Sequence, residues 1–435
     1  MNSPLGMLNP TPLAAQSRRV GMDTELRIKS SLQSIYTELR GHYNTEKKKI
    51  PNAIYMTISE KALSESWRAV ITMLYKLRDA GVFGDDQAVG REEQTETKAC
   101  EIYRNNCRKV VSVPKYGTDE LDAKYLGLFE QHVDNLAEWN KDQEDLEIHQ
   151  ALLETYGETL RHGETQSVCL PNWNPNVFVA GMDAFGTLPA YSPNSATYTT
   201  NIRNAITALG GAGSVPGLTA DVLSNISNYA LRKRIERLDI PDVPGGKGYI
   251  VTISEIQAMY LGDPAWAARN LGNLYLARAS LPEKVMNWPG VIGMYKDLLL
   301  VVDVRAATVD TAGAGLTAGY VYPGDNDQRI RTKSQALDVV TVHGKGAVWK
   351  WEPEKLHSIS QRDDYDKIEG VGTACVRGIG IPIFRNDLRN PGTAGPGAPI
   401  TPPAPGNPGM AGTAMEQFTS AIVLCGMLGG TPPSP

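Results

Sequence analysis

Few residues in this chain combine the type and the spacing that chemistry requires. Gly313-Ala314-Gly315-Leu316-Thr317-Ala318 has the outline of a dinucleotide-binding turn. Such a turn must follow a strand, open a helix and be answered by an acidic residue about 20 positions on. Here Gly319-Tyr320-Val321-Tyr322-Pro323 follows, which does not open a helix, so the segment reads as a surface loop. Gly370-Val371-Gly372 is no stronger. Asp325-Asn326-Asp327 offers oxygens that suit calcium, but the later glycine and closing glutamate of a calcium loop are missing. Glu92-Glu93 has the composition of a carboxylate pair for acid–base work. No apolar pocket flanks it to tune either pKa, so pairing with another subunit, or plain solvation, explains it better.

The remaining candidates are weaker. The six histidines are His42, His132, His149, His162, His343 and His357, and none stands at metal-ligand spacing with another His or Cys. His132 reads as a packed residue. The five cysteines, Cys100, Cys107, Cys169, Cys375 and Cys425, contain no C-x-x-C pair and fit a reducing compartment. Trp266, Trp288, Trp349 and Trp351 read as core rather than as base-stacking platforms. Arg232-Lys233-Arg234 with Arg237 makes a local basic helix face. With 43 basic against 48 acidic residues and a net charge of −5, that face reads as an intersubunit or inner-surface patch rather than a DNA-specific one. The expectation is no catalytic residue, no metal ligand and no cofactor.

What, then, must these residues be positioned for? The length of 435 residues allows two or three domains, and a hydrophobic content of 41% suffices for real cores. Gly (42) and Pro (28) are abundant, which predicts many irregular connections. The opening residues do not have the order of a secretory signal, and no apolar run nears the ~18 residues that span a bilayer.

An acidic, glycine-punctuated ribbon precedes one very long polar helix. The ribbon starts at Gly81-Val82-Phe83-Gly84-Asp85-Asp86, continues through Gly90-Arg91-Glu92-Glu93, and reads as a hairpin over 95–113 that turns at Asn105-Asn106. A helix is predicted over about 118–156, roughly 60 Å long, with Leu121, Tyr125, Leu128, His132, Leu136 and Trp139 on a buried stripe and charged residues facing outward. A rod and a polar hairpin of this length cannot bury themselves in one compact domain. Both need another surface, and another copy of the chain supplies it.

Elsewhere, an amphipathic helix is expected among Leu26, Ile28, Leu32, Ile35, Tyr36 and Leu39, beside the charge run Glu46-Lys47-Lys48-Lys49. A second helix is expected from Ser59 through Trp67, Val70, Leu74 and Leu77. Residues 163–200 read as long loops. Thr219 or Asp221 opens a helix through Ile235, and Tyr249-Ile250-Val251-Thr252-Ile253 is a strand followed by a helix through Met259 and Leu261. Further strands are expected over 298–304, 339–342, 347–351, 373–384 and 420–425, with a Gly/Asp-rich loop over 313–327 and a Pro/Gly linker over 390–409.

In this order the segments resemble the major capsid protein of tailed phages, in the branch of the N-four-type podophages, with the Hong Kong ninety-seven-like fold. The likeness rests on four segments. They are the ribbon with Arg104 and Arg108; the helix with Leu136-Ala137-Glu138-Trp139; Gly248-Tyr249-Ile250-Val251-Thr252-Ile253 through Gln257, Leu261, Asp263 and Trp266 to Asn287-Trp288-Pro289-Gly290 and Gly293-Met294-Tyr295; and Asp364-Tyr365-Asp366 to Gly370-Val371-Gly372 and Val376-Arg377-Gly378-Ile379. They cover roughly half the chain; the segment 390–409 and the tail after it depart from the pattern.

The resemblance implies an α+β fold. It assigns an N-terminal arm (1–55), a peripheral domain (56–80 and 116–199) with the spine helix, an extended loop (81–115), an axial domain (200–345), return strands (346–389) and a linker with a C-terminal strand (390–435). It implies a non-enzymatic shell of pentamers and hexamers, assembled in the host bacterial cytoplasm, and scaffold, portal and possible decoration partners. Packaged DNA would be touched only non-specifically, and no membrane is involved. Intersubunit contacts are expected at Glu92, Glu93, Glu96, Glu101, Arg104, Arg108 and Lys109 in the extended loop, and at Arg232, Lys233, Arg234 and Arg237. Related alternatives are an encapsulin-type compartment or a tail sheath. An enzyme and a nucleic-acid-binding protein are the readings from other classes.

Overall fold

The structure is a computed structural model that describes residues 36, 39–43, 52–58, 68–74, 97–114, 128–155, 172–182, 189, 195–240, 246–261, 288–313, 315–324, 326–332, 334–363, 368–383 and 418–427. Two sheets and a long helix organise it. In the smaller sheet, β1 (Arg40–Tyr43) lies parallel to β2 (Tyr55–Ile58), and β2 lies parallel to β18 (Val348–Asp363). β18 pairs antiparallel with β19 (Ile368–Gly380), and β19 with β5 (Asn105–Pro114), which forms the sheet's edge. Pro353, which has no N–H to donate, falls where the β18–β19 register shifts between Trp351 and Glu354.

The larger sheet runs β11 (Val291–Tyr295), β12 (Leu298–Val302), β10 (Lys247–Ile253), β17 (Ala336–His343), β13 (Thr308–Asp310), β14 (Thr317–Gly319). On the other side of β17 lies β20 (Ser420–Gly426), which also pairs with β8 (Val177–Val179), while β9 (Leu238–Asp239) pairs with β10. β17 and β20 are buried along their whole length, as their near-continuous apolar sequence requires of central strands. Helices α2 (Ser195–Ala208) and α3 (Ala220–Arg232) contribute Tyr198, Ile202, Leu223, Ile226 and Tyr229 to the same core. Thr219 caps α3 by accepting from the Val222 N–H at 3.3 Å. At Gly426 only glycine fits, because a Cβ there would lie 1.8 Å from the Val215 carbonyl oxygen. The C-terminal strand thus returns to the body.

The long helix α1 (Leu128–Leu153) joins the parts. Leu146 and Leu153 enter the core of the larger sheet, Ile148 and Leu152 pack with Tyr36, Ile54 and Tyr55, and Leu136 and Ala137 pack with Leu356 and Cys375. The short helix α4 (Glu255–Leu261) follows β10 as expected.

Several expectations need correction. No helix covers 68–74: Arg68–Leu74 is strand β3, paired antiparallel with β4 (Thr97–Tyr103). Its Val70-Ile71-Thr72 run is β-branched, and Ala69, Ile71 and Ile102 bury themselves beside Met56, Trp349 and Trp351. Nor does a hairpin turn at Asn105-Asn106. The chain runs on through Arg104, leaving β3 for β19, because β4 and β5 each find a better partner outside the segment. The 163–200 region carries β7 (Asn172–Trp173), β8 and the start of α2, and the 313–327 region carries β14, β15 (Val321–Tyr322) and β16 (Asn326–Asp327). β7 pairs with β6 (Glu154–Thr155), which follows α1 directly. Within the expected arm, Tyr36 and Ile54 are fully buried and Arg40–Tyr43 forms β1 of the smaller sheet. Leu39 packs against the same core as Tyr36, while Leu26, Ile28, Leu32 and Ile35, the charge run 46–49, residues 118–127 and the linker 390–409 lie outside the described residues.

Candidate self-association site

The strands β3 and β4 form a two-stranded ribbon rooted on the smaller sheet. Beyond its root, residues 75–96 lie outside the described residues, and with them Glu92, Glu93 and Glu96. Glu101 sits on β4 opposite Val70. Arg104 is the residue between β4 and β5. Arg108 and Lys109 are exposed on the edge strand β5, beside the exposed Val110. Lys109 places Nζ 5.7 Å from the centroid of the Trp139 ring on α1. An edge strand carries a row of backbone donors and acceptors on its outer side, and charged residues there control what may pair with it.

The basic residues at and after the end of α3 divide. Arg232 and Arg234 are exposed. Lys233 lies over the Tyr229 ring at 5.6 Å, and burial together with Arg232 pushes its pKa down. Arg237 is committed within the chain, to Asp297 at 3.3 Å and to the face of Tyr249 at 5.7 Å. The four therefore do not form one uniform patch. A second exposed feature is apolar: Met259 on α4 and Val304 after β12 are 70% and 66% exposed. Arg329 links their neighbourhoods, donating to the Val304 carbonyl at 2.9 Å and pairing with Glu255 at 3.2 Å.

Behind these surfaces the polar face of α1 from Asn140 onward is not turned to water, contrary to the amphipathic reading, while Asp134, Asn135 and Glu138 before it are exposed. Asn140, Glu144 and Glu147, at i, i+4 and i+7, meet the smaller sheet. Lys350 Nζ lies 3.0 Å from Glu144 Oε2, Arg377 Nε donates to Glu147 Oε2 at 2.8 Å, and Arg377 Nη1 donates to Asn140 Oδ1 at 3.0 Å. The Tyr55 hydroxyl donates to Glu144 Oε1 at 2.6 Å. Burial opposes the charge on Glu144, but Lys350 and Arg377 outweigh it and hold the carboxyl at about 2.

The adjacent face, Asp142, Asp145 and His149, meets the turn after β12. Arg305 pairs with Asp142 and, at 3.4 Å, with Asp145, while His149 Nε2 lies 3.2 Å from Asp303 Oδ2. Burial disfavours a charged His149, yet Asp303 and Asp145 raise its pKa above the ordinary value. Asp145 is pushed up to about 6 by burial, with the nearby Asp303 adding to that rise. Tyr36 stacks edge-on to His343, whose own pKa burial lowers to about 3. On the larger sheet, the fully buried Gln257 accepts from the Leu218 N–H at 2.9 Å and donates to Asp338 at 2.8 Å and to the Gly426 carbonyl at 2.9 Å.

The chemical candidates fall into place. The 313–318 glycines connect β13 to β14 rather than opening a helix. Asp327 is taken by Arg329 at 2.9 Å and Arg331 at 2.8 Å, so it has no need of a cation. Trp349 and Trp351 are core, Trp288 is half-buried, and Trp266 lies outside the described residues. Among the described residues no group of three His, Cys, Asp or Glu could hold a metal ion, and no helix is long and apolar enough to cross a membrane. The buried clamps at Glu144, His149 and Asp303 went unnoticed in the sequence, although the i, i+4, i+7 spacing of polar residues on α1 was there to be read.

No family model matches the sequence, and no curated protein is similar to it at a significant level. Solved structures do match. The capsid of Ralstonia phage GP4 aligns over 93% of this chain and 93% of its own, with a TM-score of 0.57 and 14% identity. The cyanophage Pam1 capsid aligns over 91% and 93%, with a TM-score of 0.54 and 15% identity. The acid-stable capsid of Helicobacter pylori bacteriophage KHP30 aligns over 91% and 92%, with a TM-score of 0.50 and 13% identity. The chain has the α+β fold of these phage capsid proteins.

Proposed function

We propose that this chain is a major capsid protein, which self-assembles through pentamers and hexamers into the icosahedral head shell around the genome of a tailed double-stranded DNA phage. The observation that carries this reading is the two-way, nearly full-length match of the fold to phage capsid chains. A domain borrowed into an enzyme would match over part of its length only. The rooted ribbon, the charged edge strand β5 and the exposed Met259 and Val304 give the reading a physical basis, since each is a surface that a sister subunit can cover.

In this reading the acidic residues Glu92, Glu93, Glu96 and Glu101 meet basic groups of a neighbour, and Arg104, Arg108, Lys109, Arg232, Lys233 and Arg234 supply such groups. Arg237 belongs to the fold instead, because Asp297 already holds it. Contacts between rim charges set register more than they add affinity. The role is structural, not enzymatic. Scaffold and portal proteins are its expected partners during assembly in the bacterial cytoplasm, and a decoration protein on the outside fits the same scheme.

Expression of the full chain followed by negative-stain microscopy tests this. Closed shells or rings of five or six subunits are expected. Monodisperse monomers under every salt condition would overturn the reading, and particles filled with a cellular enzyme rather than DNA would reassign it to an encapsulin-type compartment.

A further inference from the structure

Cys107 and Cys375 lie directly opposite each other where the edge strand β5 joins β19. Both side chains face α1, where Cys375 packs with Leu136, Ala137 and Leu356, and Cys107 packs against that group. Arg377, two residues along the same face, donates to Cys107 Sγ from Nη2 at 3.9 Å, and Asn140 Oδ1 accepts from Cys375 Sγ at 4.0 Å. Cys107 is half-buried while Cys375 is 2% exposed.

We propose that Cys107 and Cys375 form a reversible dithiol–disulfide site that a small-molecule disulfide closes, stapling the edge strand β5 to β19. The two sulfurs are unequal in the way such a site needs. The neighbouring Cys375, with the Arg377 guanidinium that donates to Cys107 Sγ, favours the thiolate of Cys107 against the opposing effect of burial. The Cys107 sulfur beside it, with burial, raises the pKa of Cys375 and keeps its proton on. The more accessible Cys107 thiolate attacks one sulfur of the reagent, forms a mixed disulfide and releases one thiolate. Cys375 then gives its proton to solvent, attacks the Cys107 sulfur and expels the second thiolate. The two protein thiols lose two electrons, and the reagent's disulfide becomes two thiols.

Directly opposed residues hold their Cβ atoms ~4.5–5.5 Å apart, and a disulfide needs ~3.5–4.5 Å. Closure therefore draws β5 inward by up to about 1 Å. β5 can yield because, among the described residues, it pairs with β19 alone. The residual strain makes the bond easy to reduce, so the site is reversible rather than permanent. Because β5 continues directly from β4, the staple also fixes the root of the ribbon; that consequence for a shell rests on the capsid reading, while the thiol chemistry does not.

The test uses the full chain, purified under reductant and then exposed to oxidised glutathione at about pH 8. Peptide mapping by mass spectrometry is expected to find Cys107 joined to Cys375 within one chain, with two hydrogens lost from the intact mass and regained in dithiothreitol. The unfolding midpoint of oxidised protein should exceed that of reduced protein, and Cys375→Ser should abolish the difference while leaving glutathione on Cys107. A wild-type Cys107 that stops at the mixed disulfide, remains unmodified, or links to another cysteine or another chain would overturn the proposal. Because the readout is the mass of a linked peptide, its failure leaves the shell reading intact, and a failure to form shells leaves the thiol result intact.

Discussion

Lys350 and Glu144 face each other across the junction of α1 and the smaller sheet, Nζ to Oε2 at 3.0 Å, each less than a tenth exposed. Arg377 joins the pair from β19. Removing one partner of such a buried pair leaves an uncompensated charge, so Glu144→Gln should cost about 3 kcal/mol, the lower end of the usual range, because Arg377 keeps Glu147 and Lys350 keeps Glu352. Denaturant unfolding of wild type and variant measures it, and a loss below about 1 kcal/mol would mean the clamp does not hold the helix. The folded-state pKa of Glu144 is depressed to about 2 from an ordinary 4.5. Its contribution is therefore present above pH 4.5 and fades as pH falls towards 2. The gap between wild type and variant should close over that window.

His149 gives a trend of opposite sign. Its folded pKa is raised by Asp303 and Asp145 against burial, with Arg305 opposing. Its contribution is full below the ordinary value of 6.5 and lost as pH rises through the folded value. Asp145, raised to about 6, changes in the same direction, while Asp303 is held low and stays charged. Thermal unfolding should show the advantage of wild type over His149→Gln shrinking between pH 6 and pH 9, whereas a constant gap would show that His149 is not charged in the fold.

Gln257 tests the larger sheet. Gln257→Leu keeps the volume but strips Gln257's hydrogen bonds from the Leu218 N–H and the Gly426 carbonyl and leaves the Asp338 carboxyl with Ser254. Each buried polar group left unpaired costs about 1–3 kcal/mol. The expected result is a folded-state loss of at least about 2 kcal/mol, or insoluble protein. A variant of unchanged stability would refute the view that this side chain ties β20 to the helix layer.

The ribbon should be separable from the body. Replacing residues 75–96 by a short Gly/Ser linker keeps the β3–β4 ladder and all of β5. Size-exclusion chromatography and circular dichroism should report a folded, dispersed subunit, and microscopy should find no shells. Shells of normal size and yield from this deletion would remove the ribbon from the assembly mechanism.

Much of this architecture was legible in the chain itself. Lys247–Ile253, Leu298–Val302 and Ser420–Gly426 announce themselves as apolar, β-branched runs of strand length, and Thr219 marks the start of α3 by its capping chemistry. Met259 to Leu261 likewise reads as the end of a short helix after β10, which the structure places at Glu255–Leu261. Those signals are local, and local sequence carries them.

Pairing was decided elsewhere. Residues 97–114 look like one hairpin because their polarity alternates, yet β4 pairs back to Arg68–Leu74 and β5 forward to β19, more than 250 positions away. Deleting 85–112, which a hairpin reading would recommend, would cut into both the β3–β4 ribbon and the smaller sheet. The charged face of α1 likewise reads as solvent-exposed until Lys350, Arg377 and Arg305 arrive from distant strands to neutralise it. Propensity and periodicity fix which residues extend or coil; which surface each one meets depends on long-range contacts whose energies are earned only once the whole chain has closed.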